Sequence, residues 1–125
     1  MTTSRARLGW AGAVLAALAA APLACRPAAS GAAPVATDHV TLPPSYLFRP
    51  GAIAVAAGTT VTWTNADHFT HSVRLLNDGG RVMIMKPGDS ASFTFTTAGT
   101  HRYDCSFHPH DMHGLVLVTG SSPRS

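Results

Sequence analysis

Cys105, His108 and Met112 stand three and four residues apart within Tyr103–Gly114, a stretch that also carries His110 and His113. A second stretch, Asn65–Val73, carries His68 and His71, and His71 precedes Cys105 by thirty-four residues. A single imidazole or thioether means little alone. A thiolate, imidazoles and a thioether delivered together make a specific donor set. Sulfur suits Cu(I), imidazole also suits Cu(II), and one Cys with two His and a weak axial Met describes a copper site that passes single electrons. Zinc takes thiolate and imidazole as readily, but thioether is not among its usual ligands, so Met112 separates the two metals.

Other chemistry finds little support. No Ser-His-Asp set, paired carboxylate, phosphate loop or dinucleotide motif stands out, and the Asp104, His110 and Asp111 neighbourhood comes with no substrate pocket. A mononuclear site with four protein ligands leaves no open position for a substrate, so no enzyme is expected. The formal charge is +3, and removal of Arg5 and Arg7 with the leader leaves seven bases against six acids, all aspartate. That balance is too small for a nucleic-acid partner, which needs a concentrated basic stripe.

The remaining candidates take bland readings. His68, His110 and His113 read as exposed loop histidines. His39 and His101 receive no role, although His101 shares a strand face with Tyr103 and Cys105. Met83 and Met85 flank Ile84 and read as packing residues, since methionine fills irregular gaps. Asp67 reads as a turn cap.

These residues need a scaffold, and the chain before it is of a different kind. Residues 1–24 join a basic start, with Arg5 and Arg7, to the apolar run Leu8–Ala24, which reads as an export signal. Two processing routes are open: Pro22-Leu23-Ala24-Cys25 resembles a lipoprotein cleavage box, and an ordinary cut after Ala21 or Ala24 competes with it. Residues 25–38 read as a flexible Pro/Ala/Ser/Gly linker. Cys25 then sits at the leader boundary and Cys105 stays a lone thiol in an oxidising compartment, protected by burial or by a metal.

Residues 39–120 read as the domain and 121–125 as a frayed tail. From Val40 the pattern is strand-like throughout, including Tyr46-Leu47-Phe48. Thr59–Thr64 and Ser90–Thr96 alternate polar with apolar, which marks strands with one buried face. Arg49-Pro50-Gly51, Ala57-Gly58, Asn77-Asp78-Gly79-Gly80, Lys86-Pro87-Gly88-Asp89 and Thr97-Ala98-Gly99 supply turns. Seven or eight short strands in about 80 residues predict an all-β, Greek-key, two-sheet antiparallel sandwich. Phe48, Trp63, Phe93, Phe95 and Tyr103 are its expected core aromatics.

The chain resembles the cupredoxin family, most closely its small bacterial plastocyanin- and amicyanin-like members. The resemblance rests on Phe48–Val55, Gly58–Asn65 with Asp67, His71-Ser72-Val73, Lys86-Pro87-Gly88, Phe93-Thr94-Phe95, Gly99-Thr100, Tyr103 with Cys105, and His108, Met112 and Gly114. It implies His71, Cys105 and His108 as strong ligands of one type 1 copper ion and Met112 as the axial one. The His108–Met112 spacing falls between those of the amicyanin-like and plastocyanin-like loops, which bears on the axial bond rather than on the metal. Ser72 stands where plastocyanins carry an asparagine that ties the two ligand loops. Its shorter side chain predicts a weaker or water-bridged link to the Cys105–Ser106 backbone.

The function that follows is a one-electron carrier in the periplasm or another extracytoplasmic space, with a periplasmic copper-delivery protein as the alternative. A monomer is expected, meeting membrane only through a lipid on Cys25. Its redox partners are expected to dock near His108, Phe107 and Pro109, because the family's second histidine ligand reaches the surface through an apolar collar.

Overall fold

The computed structural model describes Gly9 and residues 33–120. The leader, Cys25, most of the linker and the 121–125 tail lie outside the described residues. Nine strands follow in order: β1 Val35–Ala36, β2 His39–Leu42, β3 Ala52–Ala56, β4 Thr59–Asn65, β5 His71–Leu75, β6 Val82–Met85, β7 Ser90–Phe95, β8 Gly99–Asp104 and β9 His113–Thr119.

They form two sheets, one ordered β1-β3-β9-β8-β5-β6 and the other β2-β4-β7. This is the all-β, cupredoxin-like sandwich expected, but the sheets are mixed rather than purely antiparallel. β1 with β3, β3 with β9, and β2 with β4 run parallel. Only the first of these pairs uses the segment before the predicted domain; the other two join strands inside it. Val35–Ala36 extends the larger sheet, and a bend at Asp38 hands the chain to the smaller one.

Alternation decides which side chains enter the core. On β4, Val61, Trp63 and Asn65 face inward while Thr60, Thr62 and Thr64 form hydroxyl pairs with Thr94, Ser92 and Ser90 of β7 at 2.7, 2.9 and 2.9 Å. Such cross-strand pairs hold register on a solvent-facing surface. Trp63 meets Phe95 and Tyr103 edge-on, and Tyr103 meets Phe48 in the same way at 4.8 Å. Phe93 is only half-buried against this cluster. Burial pushes the Tyr103 phenol up to about 12, so the ring stays neutral in the core.

Tyr46-Leu47-Phe48 is not a strand. Pro43 and Pro44 have no N–H to give a ladder. The chain turns there instead, with Ser45 N–H donating to the Pro43 carbonyl at 2.8 Å and Tyr46 at φ 53°. That turn carries the Tyr46 ring towards the two histidine-bearing loops.

Candidate metal centre

Asn65, the last residue of β4 and fully buried, organises the first loop. Its Nδ2 donates to the carbonyls of Phe69 and Met85 at 2.8 and 3.0 Å, and its Oδ1 accepts from Asp67 N–H at 3.0 Å. The loop is thereby wound tightly enough for Asp67 to face His71. Asp67 Oδ1 caps His68 N–H at 2.6 Å, and Oδ2 accepts from His71 Nε2 at 2.7 Å. The expected cap is present, and the second oxygen has a job that the sequence reading did not assign. The hydrogen bond from His71, set against the cost of burial, holds the Asp67 carboxyl below its ordinary value.

That contact assigns the His71 tautomer. With Nε2–H directed at a carboxylate, the neutral ring presents Nδ1 as a bare acceptor. Nδ1 lies 3.9 Å from Cys105 Sγ, and both residues are fully buried.

The second loop folds back on itself. His108 N–H donates to the Cys105 carbonyl at 3.0 Å, Met112 N–H to the His108 carbonyl at 2.9 Å, and Cys105 N–H to the Met112 carbonyl at 2.9 Å. The last bond sets Cys105 and Met112 side by side at the loop's mouth, and both side chains are buried. β9 then starts at His113, with Gly114 opposite Tyr103. A Cβ at Gly114 would stand 2.4 Å from Tyr103 Cζ, so glycine alone lets this closure lie flat on the core ring.

The two loops are joined directly. Ser106 N–H donates to Ser72 Oγ at 2.8 Å, the two hydroxyls lie 2.7 Å apart, and Ser72 N–H points at Cys105 Sγ at 3.4 Å. The weak or water-bridged link expected of Ser72 is therefore corrected. β5 and the cysteine loop approach closely enough for a serine to span them.

His108 sits at the edge of this group, half-buried, its ring centre 5.6 Å from that of His71. Tyr46 covers it edge-on at 4.8 Å and also meets His71 at 5.9 Å. Among the described residues, no three His, Cys, Asp or Glu side chains close into a metal-holding group. The site thus brings His71 and Cys105 into mutual aim and Met112 beside Cys105, with His108 on the rim. A buried sulfur, a bare imidazole nitrogen and a neighbouring thioether fit a soft or borderline ion. His68, His110 and His113 are exposed, as expected.

The family comparison decides the class. The family described as copper binding proteins, plastocyanin/azurin family, matches residues 43–119. The chain belongs to this family. Amicyanin of Paracoccus denitrificans is 32% identical over 119 residues, covering 76% of this chain and 90% of that protein. Plastocyanin of Scenedesmus fuscus is 34% identical over 88 residues, covering 59% and 88%. Among solved structures, a novel purple cupredoxin from Nitrosopumilus maritimus superposes with a TM-score of 0.58 at 30% identity, covering 65% of this chain and 98% of that one. A reduced amicyanin variant gives 0.59 at 31% identity, covering 70% and 86%.

Within this cupredoxin two site residues escaped the sequence reading. Tyr46 had no signal beyond being an aromatic after a Pro-Pro turn. Asp67, four residues before His71 in a loop rather than a helix, gave no geometric cue that its carboxylate would reach the ring.

Proposed function

We propose that this cupredoxin is a non-catalytic one-electron carrier, with copper held by His71, Cys105, His108 and Met112. Copper, when bound, supplies the Cu(II)/Cu(I) couple. The chain's own residues supply position and environment. Cys105 offers sulfur from a water-excluded interior, Asp67 keeps His71 Nδ1 bare, and Met112 adds a thioether. The observation that carries this reading is the 3.9 Å approach of His71 Nδ1 to Cys105 Sγ. That distance is too long for a strong S–H···N bond. One ion held by both donors would span that gap, since bonds to sulfur and nitrogen run about 2.3 and 2.0 Å in zinc sites with the same donors.

Electrons leave through His108. Its covering ring, Tyr46, is 44% exposed, and Phe69 and Phe107 are 58% and 51% exposed, an apolar surface suited to brief contact with redox proteins. Such encounters bury less than ~1,200 Å². Phe107 and Pro109 belong to this docking face, and the chain acts as a monomer. The leader sends it out of the cytoplasm, and the chain meets membrane only where processing leaves a lipid on Cys25.

The test is copper reconstitution of the mature domain, with visible and electron paramagnetic spectra and a redox titration. An intense thiolate-to-copper absorption with reversible one-electron cycling is expected. Binding of Cu(I) alone, with transfer to an apo-acceptor and no reversible couple, would overturn the carrier in favour of delivery.

A further inference from the structure

Ser72 does more than tie two loops. Its Oγ lies 3.7 Å from Cys105 Sγ, and its own backbone N–H lies 3.4 Å from the same atom. Ser72 is fully buried and Ser106 is half-buried. A hydroxyl has one hydrogen to give and two lone pairs to fill. Ser106 N–H at 2.8 Å takes one lone pair, and the Ser106 hydroxyl at 2.7 Å is placed to take the other. The single hydrogen of Ser72 then has the sulfur as its remaining neighbour.

We propose that Ser106 Oγ–H donates to Ser72 Oγ, that Ser72 Oγ–H donates to Cys105 Sγ, and that this second donor to the sulfur raises the reduction potential of the site. The proposal rests on the copper-carrier reading above. Its direction follows from charge. The sulfur bonded to a metal is a thiolate, and hydrogen bonds to an anion are roughly twice as strong as neutral ones. In the opposite arrangement, Ser72 would donate to Ser106 and leave a buried anionic sulfur with one donor fewer. Ser106, half-exposed, has water as an alternative partner, whereas Cys105 has none.

The effect on potential follows from electron count. One electron enters and no bond to hydrogen forms or breaks. The thiolate carries more negative charge in the reduced state, where less of its density is shared with the metal, so each donor stabilises that state more. Hydrogen bonding around the cysteine sulfur is one of the ways a blue-copper potential is set.

The experiment compares wild type, Ser72→Ala and Ser106→Ala, each copper-loaded, by redox titration and visible absorption. In the metal-free protein, proton NMR looks for a slowly exchanging Ser72 hydroxyl. Ser72→Ala is expected to lower the Cu(I)-to-Cu(II) affinity ratio about tenfold, a potential about 59 mV lower for one electron. It should also move the charge-transfer band to longer wavelength, because the sulfur orbitals rise when a donor is removed. Ser106→Ala should move the potential down by less, since Ser72 keeps its hydrogen on sulfur. A potential that rises in Ser106→Ala would show that Ser72 donates to Ser106 in the native protein, and would overturn the proposal. So would a Ser72→Ala protein that is blue with an unshifted band and potential. A wild-type protein with no such band would instead refute the copper-carrier reading, which keeps the two failures apart.

Discussion

Asp67 Oδ2 and His71 Nε2 meet at 2.7 Å inside the domain, with side-chain exposures of 3% and 0%. The pair is local, four residues apart, yet it depends on Asn65 winding the loop between them. It leaves His71 with one ring nitrogen committed and the other aimed at Cys105. Outer carboxylates of this kind orient a ligand imidazole and raise its basicity, and their loss costs 10–100-fold in metal affinity. Asp67→Ala is therefore expected to weaken copper binding by about 10–100-fold. Asp67→Asn, which keeps an acceptor oxygen, should lose less. Competition titration against a chelator of known affinity measures both, and equal affinities for wild type and Asp67→Ala would remove Asp67 from any positioning role.

A second histidine–aspartate contact lies outside the two ligand-bearing loops and bears on folding. His101 Nδ1 faces Asp78 Oδ2 at 2.9 Å and Nε2 faces the Thr97 carbonyl at 2.8 Å, while the Phe95 ring packs against it. Two acceptors, one on each nitrogen, call for the doubly protonated ring. Burial pushes the His101 pKa down, but the bonds to Asp78 and Thr97 outweigh it and the net shift is upward from 6.5. A raised folded value means that the stabilisation is full below the unfolded value of 6.5 and is lost as pH rises through the folded one. The apo-protein's urea midpoint should fall as pH climbs from 6 towards 9, and Asp78→Asn should flatten that fall. Parallel curves for the two proteins would show that the pair contributes no such dependence.

Gly114 has no such latitude. Its missing Cβ is the space occupied by the Tyr103 ring, which is 1% exposed and locked between Trp63 and Phe48. Gly114→Ala forces either ring or strand to move, and overpacking of this kind costs about 1–3 kcal/mol. Because β9 begins beside Met112, the same shift should loosen the Cys105–Met112 closure. Chemical denaturation of the apo-protein checks the first effect, and a broadened charge-transfer band checks the second. An unchanged midpoint would mean that the strand yields freely.

What the sequence made legible was local. Alternation in Thr59–Asn65 and Ser90–Phe95 marked both strands and their inward faces, and Gly/Pro punctuation separated them. The donor types in Tyr103–Gly114 named their chemistry because thiolate, imidazole and thioether have few other reasons to share one loop. Pairings between distant segments stayed hidden. Val35–Ala36 gave no sign of joining β3, since a two-residue strand has no period to read. Ser72 looked too short to span two loops whose separation no spacing encodes. His101 and Asp78 lie on different turns, and only the folded sandwich brings them together.

The docking face yields the last prediction. Arg74 is forked onto Asp104 through Nε and Nη2 at 2.8 and 2.7 Å. Its charge is locally balanced, leaving Arg49, Arg81, Lys86 and Arg102 as the exposed bases among the described residues of a mature chain that carries seven bases and six acids. Long-range attraction is therefore expected to be weak, and on the proposed reading contact through Tyr46, Phe69, Phe107 and Pro109 would set the encounter. Electron self-exchange between the Cu(I) and Cu(II) forms, read by NMR line broadening, probes this face without any other protein. At pH 8 its rate should change little with ionic strength, because near-neutral surfaces gain little from screening. Pro109→Glu should slow it at least several-fold, since two copies would then bring like charges together over an apolar contact. A steep salt dependence at pH 8, with no slowing in Pro109→Glu, would move the encounter away from His108 and onto the flanking bases.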